Sequence, residues 1–197
     1  MKKTLLIVLI VIAVLVFWGF SWGISTGNKM VAMDEGVAAS WSQVENVYQR
    51  RSDLIPNLVN TVKGYADFEK STLTAVIEAR AKATQVTVDP TKLTPASMQQ
   101  FQQAQGGLSS ALGRLMVVAE KYPDLKANEG FLNLQAQLEG TENRITVERQ
   151  KFNEIARTYN TYIRQFPNMI IASMRNFEKK AYFEAEKGAE KAPKVQF

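Results

Sequence analysis

The chain has 197 residues, with 24 Lys and Arg against 19 Asp and Glu, and it contains neither histidine nor cysteine. No histidine means no Ser-His-Asp triad, no imidazole acid–base pair and no histidine-bound zinc. No cysteine means no thiolate nucleophile, disulfide or iron–sulfur cluster. The net charge of +5 is mild. Lys2 and Lys3 supply two of those charges, and the rest are too scattered to point to nucleic acid. No cofactor is expected, and any metal would have to be a hard, oxygen-bound ion.

An almost unbroken apolar run follows Lys3, from Leu5 to Phe20, and continues to Ile24. As a helix, Thr4 to Ile24 spans roughly 31 Å, the thickness of a bilayer's hydrocarbon core. Trp18 and Trp22 fall at its distal end, where indole rings favour the headgroup region. Two lysines precede the run and Lys29 alone follows closely. That bias favours a cytoplasmic N-terminus and a main domain on the other side. A cleaved signal peptide is the competing reading; the run is long for one and lacks an A-x-A site, so an uncleaved anchor over residues 1–27 is expected. Gly19, Gly23 and Gly27 repeat every fourth residue, a spacing that lets helices approach closely in lipid and suggests a homo-oligomer; loosening of the membrane exit is the plainer alternative.

From Met30 onward the periodicity is helical, with no strand-like alternation. One apolar stripe runs from Val37 through Trp41, Val44 and Tyr48 to Val86, and a second from Phe131 to Phe166. Such seams bury one side of a helix against partners in a bundle or coiled coil. Thr94-Pro95 opens a helix that Pro123-Asp124 stops, Asn128 caps the next, and Phe166-Pro167 ends it. Residues 86–93 form a loop. A short helix is expected within 168–177, and 178–197 as a loosely ordered tail, with Val195 and Phe197 able to dock back. The segment Ser52-Asp53-Leu54-Ile55-Pro56 allows two readings. It caps a new helix and reverses the chain, or it kinks one helix of more than fifty residues. Four helices are the commoner solution. The expectation is therefore an all-α protein: a transmembrane helix, then an antiparallel four-helix bundle over residues 28–177 that reverses at 52–56.

Several polar residues interrupt the seams. Arg51 and Glu69 on the first stripe and Glu148 on the second predict interhelical salt bridges or sites near water, because a buried charge is costly unless paired. A groove with charged anchors is the functional alternative. Asn143, Asn153 and Asn160, with Glu139, Glu142 and Arg149, form a polar strip read as a solvated flank or a helix-to-helix contact. Lys179-Lys180 with Phe177, Tyr182 and Phe183 reads as solvated tail, with contact to a membrane surface as the alternative.

Certain blocks resemble the LemA family over essentially the whole chain. They are Ala39 to Glu45, the RRSDLIPNLV run from Arg50 to Val59, Val62 to Ala66, Glu120 to Asn128, Leu138 to Ile145, Tyr159-Asn160, Phe166-Pro167 and Tyr182-Phe183. The resemblance implies a bacterial membrane protein with an N-terminal anchor and a four-helix bundle, and it carries no established catalytic residue. Its motif positions Arg50, Arg51, Asp53, Pro56, Asn57, Glu142 and Asn143, together with Glu69 and Glu148 from the seams, stand as interaction or structural positions. The expected function is a non-catalytic scaffold, anchored in the inner membrane with a periplasmic domain, that self-associates or organises envelope proteins or membrane. An adaptor for a membrane metalloprotease of the HtpX type, or for another envelope protein, is the alternative.

Overall fold

The described residues, 2–65 and 68–184 of a computed structural model, form helices joined by turns and contain no strand. The helices are α1 (Lys2–Lys63), α2 (Lys70–Gln85), α3 (Pro95–Ala119), α4 (Pro123–Lys126), α5 (Glu129–Arg164) and α6 (Asn168–Met174). The four long ones run up, down, up and down, with α1 packed most closely on α5 and α2 on α3.

Local chemistry fixes three of the boundaries. Thr94 accepts from the Ser97 amide while the Ser97 hydroxyl accepts from the Thr94 amide, a reciprocal cap with Pro95 in the first turn of α3. Asn128 accepts from the Phe131 amide and starts α5. Asp89 folds over its own backbone through the Thr91 amide and hydroxyl, which shapes the loop before α3. These hydrogen bonds from Thr91 hold the Asp89 carboxyl below the usual carboxylate range.

The expected reversal at 52–56 does not occur. Helix α1 continues through Pro56 to Lys63, and the chain turns back between Lys63 and Lys70. A proline inside a helix removes one amide and leaves the carbonyl four residues earlier without its partner. That carbonyl belongs to Ser52, and Arg80 of α2 donates to it from Nε at 2.9 Å. A neighbouring helix thus supplies the hydrogen bond that Pro56 takes away. The fourfold count survives because the turn lies some ten residues later than the sequence suggested.

Along its length α1 changes surroundings. Its first part, Leu5 to Phe20, exposes its large apolar side chains. It is long and apolar enough to cross a membrane by length and composition. Burial against the rest of the chain begins near Trp22 and is complete at Thr26, Gly27 and Met30. At about 1.5 Å per residue, the 62 residues of α1 make one rod of about 93 Å, roughly a third apolar run and two thirds bundle.

Two apolar cores stack along the bundle. The membrane-proximal one gathers Trp41, Tyr48, Phe101, Phe152, Tyr159 and Phe183 with aliphatic residues from α1, α3 and α5. The distal one is mostly aliphatic: Ile55, Leu58, Val62, Leu108, Leu112, Leu115 and Leu138, with Leu73 and Val76 of α2. Helix α2 contributes to the distal core alone.

Candidate functional site

Between the two cores lies a layer of polar side chains centred on Arg51, which is 1% exposed. Its Nη1 donates to Glu142 Oε1 at 2.5 Å and to Ser109 Oγ at 2.7 Å. Its Nη2 donates to Gln105 Oε1 at 2.7 Å, and the guanidinium lies 5.1 Å from the centre of the Tyr48 ring. Gln105 passes the connection on, donating from Nε2 to the Ala83 carbonyl of α2. Arg51 on α1, Ala83 on α2, Gln105 and Ser109 on α3 and Glu142 on α5 therefore join all four long helices at one level. Glu142 is 44% exposed, so the ion pair opens to solvent on one side. A small cleft of about 170 Å³ lies there, lined by Tyr48, Gln102, Gly106, Thr146 and Arg149.

The second polar assembly ties down the extended segment 178–184. Residues 178–184, expected as loose tail, lie against the proximal half of the bundle. The boundary drawn at 177 therefore cuts off residues that belong to the core, notably Phe183. Asn176 adopts φ 56°, a left-handed turn that asparagine tolerates, and sends the chain back along α5. Asn160 then brackets Lys180, accepting from its amide and donating to its carbonyl, both at 2.8 Å. Asn153 does the same for Phe183 at 2.8 and 2.9 Å. The spacing is a matter of arithmetic. Seven helical residues advance about 10.5 Å, and three extended residues advance about 10 Å, so side-chain amides at i and i+7 meet strand residues three apart. Tyr159 adds a bond from its hydroxyl to the Glu178 carbonyl, and Ala181 donates its amide to Leu93.

The strap delivers two side chains inward. Phe183 stacks on Trp41 with centroids 5.7 Å apart, and Phe101 and Phe152 meet Trp41 edge-on. Lys180 is buried, with Nζ 2.8 Å from Asp34 Oδ1 on α1 and 2.7 Å from the Thr91 carbonyl. Lys180 thus pins α1, the α2–α3 loop and the strap together. Burial pushes the Tyr159 phenol far above its ordinary value, and the Asp34 carboxylate beside it adds to the shift. Burial likewise raises Tyr48, with Arg149 and Arg51 opposing. Both phenols are neutral near pH 7, and that of Tyr159 donates to the Glu178 carbonyl.

The sequence-selected residues scatter around this frame. Arg51 and Glu142 come together. Glu69 does not join a seam: it is the exposed residue before α2, near Thr72 and Lys121, because the reversal falls there and ends the first stripe. Glu148 is half-buried and pairs with Lys151, its neighbour on α5, rather than across helices. Arg50, Asp53, Pro56, Asn57 and Asn143 are exposed; Asp53 accepts from Gln49. Asn153 and Asn160 hold the strap rather than a helix or solvent. Lys180 and Phe183, placed in a solvated tail, are buried. Gly19 faces open space, Gly23 faces Ile171, and Gly27 gives way to the Arg175 side chain, which a methyl there would strike. Trp18 is exposed and Trp22 half-buried. Val195 and Phe197 lie outside the described residues. Arg80, Gln105 and Asp34 escaped notice; each makes sense only beside a partner distant in sequence. Among the described residues no group of three or more acidic side chains converges as a metal site would require.

Known proteins align with this frame. Two magnetosome proteins of Paramagnetospirillum magneticum, MamQ 2 and MamQ 1, are each 29% identical over 84% of this chain and 67% of their own length. Protein LemA of Metamycoplasma hominis is 25% identical over 80% of this chain and 68% of its own. The chain thus spans about two thirds of the length of these relatives. The LemA family model matches residues 40–197, a stretch that takes in Trp41, the Arg51 layer and both asparagines that grip the strap. By that match the chain belongs to the LemA family.

Proposed function

We propose that this protein is a single-pass, non-catalytic helical scaffold that self-associates or organises envelope proteins or membrane. One observation carries the proposal: α1 passes from the apolar segment into the bundle core as one helix. Any partner held by the bundle is therefore held rigidly relative to the apolar segment of α1. The polar groups support the same reading. The two Arg51 Nη groups and the Lys180 ammonium are engaged in joining elements of the bundle, and the two buried phenols are neutral. These groups do the work of architecture. The lysines before the span favour a cytoplasmic N-terminus and an extracytoplasmic bundle at the inner membrane.

The test is the mass of the full-length protein in mild detergent, by light scattering on a sizing column, beside a shortened chain beginning at Asn28. A defined large oligomer that falls apart on shortening is the expected result. Monomers in both cases would remove self-assembly, and co-purification of such a monomer with a membrane metalloprotease would replace the scaffold by an adaptor.

A further inference from the structure

Helix α5 descends antiparallel to α1, with Glu142 facing Arg51, Phe152 facing Trp41 and Tyr162 facing Lys29. It therefore ends level with the point where α1 leaves its apolar segment. The elbow Phe166-Pro167 and helix α6 come next, and α6 closes on α1 at that level. A methyl on Gly23 would sit 3.5 Å from Ile171 Cδ1, and one on Gly27 would strike the Arg175 guanidinium. Gly23 lies inside the apolar run. Thus α6 sits beside the last turn of the span.

The opposite side of this elbow is apolar and uncovered. Ala172 is buried and Ile171 half-buried against the bundle, whereas Met169 and Ile170 are half exposed, Met174 is 76% exposed and Phe166 80%. Four large apolar side chains on one short stretch leave contiguous apolar surface in water, and removing it from water is favourable. No acidic residue occurs from Arg164 to Phe177, and Arg164 and Arg175 flank the group. Apolar side chains bordered by arginines, level with the end of a span, match the boundary between acyl chains and phosphates.

The geometry points to a second membrane contact: Phe166, Met169, Ile170 and Met174 insert into the leaflet from which α1 emerges, as a lipid-embedded foot. This inference rests on α1 spanning the membrane. The occupant is lipid rather than a second copy of the chain, because the patch continues the lipid-facing surface of α1 at the same height. The foot fixes the tilt and rotation of the bundle on the bilayer, which a lone span leaves free.

The absence of native cysteine makes the test direct. Full-length protein carrying Ile170→Cys or Met174→Cys is labelled with a nitroxide in mixed phosphatidylcholine–phosphatidylglycerol vesicles. Collision rates with oxygen and with a water-soluble nickel chelate are then compared. Phe17→Cys in the span and Val117→Cys on the distal part of α3 serve as references. A label embedded in the interfacial layer should favour oxygen over nickel at least about threefold more than the label at 117. Adding Met169→Glu should bring the 174 label back to the value at 117 while helix content stays unchanged. Labels at 170 and 174 that match 117, with 17 in lipid, overturn the foot and leave the span standing. A label at 17 that reads as aqueous overturns the span itself. Shielding of 170 and 174 from both reagents, with dipolar broadening between labels, assigns the patch to a second copy and also overturns the proposal.

Discussion

The two cores of this bundle are built differently. The distal core has four helices around it and is filled with Leu, Ile and Val, whose ridges interlock without further help. The proximal core has three long helices, because α2 ends at Gln85. The missing side is filled by the α2–α3 loop and by the strap, with a cluster of aromatic rings between them. A bundle half that lacks a helix can be completed by an extended segment, provided that side chains replace the backbone hydrogen bonds a helix would make for itself. Asn153 and Asn160 do this, so the proximal half depends on a few specific polar contacts where the distal half depends on area.

The sharpest way to break this contrast is to remove one anchor from each core. In urea unfolding Phe183→Ala should cost about 3–5 kcal/mol and Leu115→Ala about 2–5 kcal/mol. Hydrogen exchange should separate them: Phe183→Ala should speed exchange around Trp41 and Phe152 and release the strap while leaving the distal amides protected. Uniform loss of protection in both variants would show that the cores are one cooperative unit.

A smaller effect tests the layer between them. Arg51→Ala should destabilise by about 2–3 kcal/mol, through unpaired Gln105 and Ser109 and the space left behind. The half-exposed Glu142 can recover water, which limits the loss. Arg51→Met combined with Gln105→Leu should lose less than Arg51→Ala, because two buried polar partners go together and, besides Glu142, only Ser109 and the Ala83 carbonyl lose theirs. A large loss in the double variant would mean that the layer holds the helices in register.

Arg80→Ala should cost about 1–2 kcal/mol by exposing the Ser52 carbonyl to the lack of a partner. The cost should shrink when Pro56→Ala restores the helical amide, and a double-mutant cycle measures that coupling. Strictly additive losses would break the account of why α1 passes Pro56.

The mildest prediction concerns pH. Tyr159 has a phenol raised above its ordinary value of 10.0 by burial and by Asp34. An acid whose folded value is raised contributes stability that is fully present below pH 10 and is lost as pH climbs towards the folded value. Tyr159→Phe should therefore flatten the alkaline decline in stability above pH 10, at a cost of about 1 kcal/mol near neutrality from the lost bond to Glu178. An alkaline decline that persists unchanged would place the titrating group elsewhere, with Tyr48 the next to examine.

What was legible in the sequence follows the range of the forces involved. The caps at Thr94 and Asn128 and the loop before α3 were readable because donor and acceptor lie within a few residues. The apolar seams were readable because burial repeats with the helical period. The passage of α1 through Pro56 stood as one of two readings, and the sequence could not decide between them because the hydrogen bond that permits it comes from Arg80, 28 residues away. Glu69 sits near water at a helix end, one of the two readings offered, but the heptad count that set it on the first stripe cannot see a turn that the apolar pattern happens to bridge. The strap was missed because its sequence is polar and its partners sit 20 to 30 residues earlier on α5. Arg51 was picked out correctly as a paired charge, but its place as the meeting point of four helices required three partners from other elements.

The uninterrupted α1 has a mechanical meaning. A helix turns by about 100° per residue, so a single residue inserted between the apolar run and Met30 would swing the whole span around its axis by that angle. It would carry Gly23 away from Ile171 and Gly27 away from Arg175. With no hinge to absorb the twist, α1 is a torsion bar. A rotation imposed on the part inside the bilayer arrives at Trp41 and Arg51 as the same rotation, and the side chains of α5, α6 and the strap must yield to it together or resist it together.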